Sequence, residues 1–134
     1  MDVDGGCHCG HVTYQAVIEP DRVFLCHCTD CQTLSGAAFR IVARVDEADF
    51  RLLSGTLKTY VKTAESGRLR AQYFCLECGT AIYATSVGDG PKVFGVRIAT
   101  ARQRDSLPPE RHFWHGSAQP LLADLRAMPV VTRQ

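Results

Sequence analysis

Seven cysteines fall in three tight groups along a chain of 134 residues: Cys7-His8-Cys9, Cys26-His27-Cys28-Thr29-Asp30-Cys31, and Cys75-Leu76-Glu77-Cys78. Thiols one or two residues apart aim at one ion from a single turn, so the spacing favours a metal over a disulfide framework. An odd number of cysteines points the same way. Zinc is the soft-ligand cation that such clusters select, and it takes four sulfurs in a tetrahedron. Iron–sulfur ligation competes, but the ferredoxin spacings are absent.

Ligand counting then divides the sulfurs. The outer groups supply Cys7, Cys9, Cys75 and Cys78, enough to close one structural zinc site. Gly79, directly after Cys78, lets that turn close and frees backbone N–H groups to face sulfur. The middle group supplies Cys26, Cys28 and Cys31 and leaves a fourth position for water or substrate, as a catalytic zinc requires. Two other readings of the trio stand beside this one. Cys28 and Cys31 form a C-x-x-C pair that could act as a redox dithiol, although no clear helix follows to lower a thiol pKa. A histidine could also close a second structural site. His8 and His27 lie between ligands and point away from the shared metal, which leaves His112 or His115.

The elements that must position these groups are mostly strands. Alternating patterns place strands over 12–18, 39–45 and 57–61. Ser66-Gly67 turns the chain into a strand over 69–75. A β-rich run over 80–86 follows, then the Gly88-Asp89-Gly90 hairpin turn and a strand over 93–98. His112 to His115 reads as a last short strand. Helix is confined to turns at 29–34 and 46–49 and a short C-terminal helix over 120–128, with Leu121, Leu122 and Leu125 facing the body. The expectation is a mainly β, single domain over 1–134, with its core over about 3–120 and a zinc staple supplementing a limited hydrophobic core.

Composition narrows the classes. Lys plus Arg is 15 and Asp plus Glu is 14, and a net charge of +1 offers no strong field for drawing in nucleic acid without excluding it. No apolar run approaches a membrane span. Met1 to Gly6 carries neither a basic nor an apolar segment, so the expected location is cytoplasmic. Exposed strand edges make a homodimer the expected association, if any.

Taken together, Gly5-Gly6-Cys7-His8-Cys9-Gly10, Cys26-His27-Cys28-Thr29-Asp30-Cys31 with Ser35-Gly36, and Phe74-Cys75-Leu76-Glu77-Cys78-Gly79-Thr80 resemble the glutathione-dependent formaldehyde-activating enzyme family, which shares its domain with centromere protein V. The resemblance runs from about residue 3 to 120. It implies a β-tent of antiparallel sheets with two zinc ions per chain, one structural on Cys7, Cys9, Cys75 and Cys78 and one catalytic on Cys26, Cys28 and Cys31. It implies a carbon–sulfur lyase joining a small thiol, glutathione-like, to a small aldehyde, formaldehyde-like, as an S-(hydroxymethyl)glutathione-type hemithioacetal. The C-terminal third departs from the family pattern, with Leu121 where members often carry an aromatic after the Gln119-Pro120 step.

An open zinc site suits this chemistry, since the cation holds an entering thiol as its thiolate and polarises a nearby carbonyl. A dicarboxylate thiol needs cations, for which Arg40, Arg44, Arg70 and Arg97 are the candidates. His27 is a candidate proton carrier. Phe113 and Trp114 read as core, with a place at the pocket rim as the other option. The rival to catalysis is a zinc-folded binding module for a protein or nucleic-acid partner.

Overall fold

The computed structural model describes residues 1–133. The alternating segments fold into two sheets. The smaller contains β1 (Asp2–Gly6), β2 (Thr13–Val17) and β5 (Phe50–Ser54), all antiparallel, in the order β1-β2-β5. The larger is built from β3 (Val23–Cys26), β4 (Arg40–Asp46), β6 (Leu57–Thr63), β7 (Leu69–Cys75), β8 (Ala81–Ser86), β9 (Val93–Arg97) and β10 (Arg111–Phe113). Its order is β10-β3-β4-β9-β8-β7-β6. Every pairing in it is antiparallel except β10 with β3, which run parallel and set Phe113 opposite Cys26.

The sheets enclose the core. Val3, Val12, Tyr14, Ala16 and Ile18 meet Ala43, Val45, Phe94 and Val96 from β4 and β9. Tyr14 stacks on Phe50 with ring centroids 5.1 Å apart, and its hydroxyl is within 2.9 Å of Thr100 Oγ1. Because side chains alternate along a strand, the other face of β4 and β9 carries Arg40, Val42, Arg44, Gly95 and Arg97. That face is polar and concave, and it holds the site described below.

The mainly β reading holds, and several boundaries are corrected. The turn at 29–34 is a seven-residue α-helix, α1 (Thr29–Ser35), ended by Gly36 in the left-handed region at φ 64°. The last strand stops at Phe113, because Trp114 leaves the extended region. Pro120–Ala127 forms 3-10 turns and not an α-helix. Leu121 and Leu125 point to solvent, 49% and 48% exposed, because no apolar face lies beneath them to drive a helix. β1, β3 and β5 are short strands without a clean alternation signal. No described helix is long and apolar enough to cross a membrane.

Candidate metal centres and their cavity

The first cluster sits where the two sheets meet. Cys7 and Cys9 lie in the turn between β1 and β2, while Cys75 ends β7 and Cys78 lies in the turn that leads to β8. Their sulfurs are all within 4.8 Å of one another. Cys7 Sγ is 3.5 Å from Cys9 Sγ, and Cys9 Sγ is 3.9 Å from Cys75 Sγ. A tetrahedral zinc with four sulfurs at about 2.3 Å needs sulfur–sulfur edges of roughly 3.8 Å, so the cage already has the right size for that donor set.

Backbone groups support it. Val12 N–H donates to Cys7 Sγ at 3.2 Å and Glu77 N–H to Cys75 Sγ at 3.4 Å. Such bonds favour the thiolate over the thiol. Cys78 is pulled down to about 5, first by its bond with Thr80. Gly79 lets the turn close and leaves the Glu77 N–H to face sulfur, as the sequence suggested, while its own N–H is used in the turn. At φ 75° its N–H donates to the Cys75 carbonyl at 2.9 Å and closes the turn.

The second cluster is local. Cys26 ends β3, Cys28 is the N-cap of α1, and Cys31 lies in its first turn. Their sulfurs also lie within 4.8 Å of one another, and among the described residues no fourth His, Cys, Asp or Glu joins the group. Cys31 N–H donates to Cys28 Sγ at 3.2 Å. Cys26 is pulled down to about 5, above all by its bond with Cys31, which is pushed up in turn. Three sulfurs this close form a donor set that a soft divalent cation would satisfy. Each cluster can hold a metal ion.

The histidines do not close the trio. His27 is buried, with its ring turned away from the sulfurs. Its Nε2 is 2.8 Å from His112 Nδ1, and His115 packs edge-on against both rings. Burial first, then the two neighbouring imidazoles, lowers the His27 pKa. The turn expected at 29–34 is the full helix α1, which follows Cys28, so the objection to a redox dithiol on that ground no longer stands.

The trio faces a cavity of about 1060 Å³, lined by residues that include Phe24, Arg44, Lys62, Arg70, Arg97 and Trp114. Its floor is the polar face of β4 and β9, kept low by Gly95 and Ala84. Arg44 lies over the rings of Phe24 and Phe113, at 5.5 and 5.3 Å. Arg97 Nη2 donates to Gln72 Oε1 at 2.8 Å, while its buried Nε has no partner. Burial, then Arg40, brings Arg97 down to about 10, and burial, then Arg44, lowers Arg70. The ion pairs of the described residues are Arg22–Asp46, Lys62–Asp30 and Arg102–Asp4, so Arg44, Arg70 and Arg97 have no carboxylate partner among them.

Of the expected cations, Arg44, Arg70 and Arg97 reach the cavity. Arg40 does not; it is buried, and its Nε donates to the Cys31 carbonyl at 3.3 Å. Trp114 is not core: it is 58% exposed at the rim. Sequence reasoning missed Gln32 and Ser117, which converge on the His27 carbonyl at 2.8 and 2.9 Å. Their bonds span 5 and 90 positions, and only the first lies within reach of any local signal.

A mostly β chain thus carries two compact sulfur clusters that could each hold a metal, one between the sheets and one facing a cationic hollow. The family model of the glutathione-dependent formaldehyde-activating enzyme matches residues 2–117, and the chain belongs to that family. A curated protein of Halomonas elongata, named "Putative glutathione-dependent formaldehyde-activating enzyme", is 28% identical over 87 residues, which are 62% of this chain. The match spans about half of that relative's length, 55%. A crystal structure of a Rhodobacter sphaeroides protein shares the fold with a TM-score of 0.62 at 22% identity, covering 82% of this chain and 99% of that one.

Proposed function

We propose that the chain is a zinc-dependent enzyme of the carbon–sulfur lyase type that forms and breaks the adduct between a glutathione-like thiol and a small aldehyde such as formaldehyde. The observation that carries this reading is the trio of Cys26, Cys28 and Cys31 facing a cavity with three guanidinium groups that have no carboxylate partner among the described residues. Family membership supports it. In this reading Cys7, Cys9, Cys75 and Cys78 hold a structural zinc, and Cys26, Cys28 and Cys31 hold a catalytic one.

The catalytic ion would supply the charge that keeps an entering thiol deprotonated and polarises an aldehyde oxygen. The chain's own residues do the rest. The Cys31 N–H and the Arg40 side chain fix the trio from below, through Cys28 Sγ and the Cys31 carbonyl. Arg44, Arg70 and Arg97, which line the cavity, receive the carboxylates of the thiol. The aromatic wall of Phe24 and Phe113 lowers the local polarity and steadies Arg44. The sulfur then adds to the carbonyl carbon, the carbonyl oxygen takes up the proton that the thiol gave up, and no electrons are exchanged with a redox partner.

The test is exchange spectroscopy with isotopically labelled formaldehyde, glutathione and zinc-loaded protein. The expected result is faster interconversion of free aldehyde and S-(hydroxymethyl)glutathione than in protein-free solution, with loss of the acceleration in Cys28→Ser. Equal rates with and without protein would overturn the proposal and leave a zinc-folded binding module in its place.

A further inference from the structure

Trp114 is the one non-glycine residue among those described with a left-handed backbone, at φ 57° and ψ 36°. A bulky side chain adopts that region at a free-energy cost, and such strain persists only where the surroundings enforce it. Here the enforcement is visible. The Trp114 carbonyl accepts two bonds from Ser117, from its N–H at 3.1 Å and its hydroxyl at 3.0 Å. The same hydroxyl lies 2.9 Å from the carbonyl of His27, the residue between Cys26 and Cys28. Gln32 Nε2 completes the knot, donating to the His27 carbonyl at 2.8 Å and to the Ser117 carbonyl at 2.9 Å.

Packing does not explain the arrangement. The indole is largely exposed, yet it lines the same cavity as the sulfur trio. A fold that only needed to turn here would be better served by glycine. The strained backbone instead presents a large flat side chain at the rim, in register with the loop that carries Cys26 and Cys28.

We propose that Trp114 is a specificity-determining residue that covers the body of the bound thiol, so that the cavity takes a long, peptide-like thiol and disfavours a short one. The assignment rests on the thiol reading of the cavity given above. The chemistry it names is a planar amide or methylene chain extending from the sulfur towards the arginines, with the indole laid over it. Ser117 and Gln32 are positioning residues in this scheme, because they hold the indole and the trio loop in one frame.

Trp114 is the only tryptophan in the chain, so its emission reports directly on the site. Zinc-loaded protein is titrated with glutathione and, separately, with 2-mercaptoethanol, while calorimetry measures both affinities in wild type, Trp114→Gly and Trp114→Phe. Glutathione is expected to shift the emission saturably and 2-mercaptoethanol to leave it unchanged. Trp114→Gly is expected to bind glutathione about tenfold more weakly and 2-mercaptoethanol as wild type does, with Trp114→Phe within about threefold of wild type. Its melting temperature should equal or exceed that of wild type, because glycine accepts the left-handed backbone freely. Equal glutathione affinity in wild type and Trp114→Gly would overturn the assignment and leave the thiol reading intact. Equal weakening of both thiols would also overturn it, since damage to the trio and not a lost contact would be the cause. If wild type took up neither thiol, the reading of the cavity would fall and the assignment with it.

Discussion

The backbone N–H of His8 donates to Thr80 Oγ1 at 3.1 Å across 72 positions of sequence. This bond fastens the turn of Cys7 and Cys9 to the turn of Cys75 and Cys78, and so joins the smaller sheet to the larger beside the first cluster. Cys78 Sγ, 3.1 Å from the same hydroxyl, draws on the same anchor.

Removal of metal should therefore separate the sheets at this corner. Chelation of the zinc-loaded protein is expected to lower the melting temperature substantially, because ion binding energy in such a cage is folding energy. The measurement is calorimetric melting with metal content verified on the same sample. An unchanged melt after verified removal would show that the cluster carries no structural load.

The two clusters should respond differently to loss of one thiol. Cys28 is the N-cap of α1, and serine is a good N-cap, so Cys28→Ser keeps the capping acceptor. Its stability is expected to fall by less than about 1 kcal/mol while activity is lost. Cys78→Ser breaks the cage between the sheets and should destabilise the fold far more. Chemical denaturation of both variants beside an activity assay decides the matter. Equal loss of folding would mark both sites as structural.

Arg97 offers a separable test of the cationic wall. Its guanidinium lines the cavity and has no carboxylate partner among the described residues, so a bound carboxylate would supply the missing counter-charge. Arg97→Met is expected to raise the KM for glutathione about tenfold or more, near 1.4 kcal/mol, and to leave 2-mercaptoethanol unaffected. Parallel loss for the charged and the neutral thiol would remove Arg97 from substrate recognition.

Gly79 tests the local turn. A Cβ there would meet nothing within 4 Å, but the backbone sits at φ 75°. Gly79→Ala should cost about 1–2 kcal/mol through backbone strain alone. A metal titration of the variant should show nearly wild-type stoichiometry. Loss of the metal would mean that the turn tolerates no such strain.

Much of the arrangement is legible in the spacing of residues, and the exceptions are instructive. Cys26, Cys28 and Cys31 lie within six positions, so one turn and the start of α1 bring their sulfurs together. The outer four were paired by counting, and the structure places their sulfurs together through β1, β2, β7 and β8. Trp114 takes the rim place that the sequence offered second to core, because its exposure comes from a hydrogen-bond knot that includes a partner far along the chain. Arg40 went astray. Alternation puts it on the same face as Arg44, but its pairing with Cys26 in the ladder buries it beneath the trio. The C-terminal leucines repeat with a helical spacing, and no surface waits for them.

The contrast between a local and a distant cluster reaches beyond the finished molecule. On the ribosome Cys26, Cys28 and Cys31 emerge almost together, while Cys7 and Cys9 wait for Cys75 and Cys78. At about 5–20 residues per second, translation leaves that early pair alone for several seconds. During that interval two nascent thiols meet the cell unpartnered. Any metal that settles on them first must later be surrendered or shared, so the order of birth becomes part of how this chain acquires its ions.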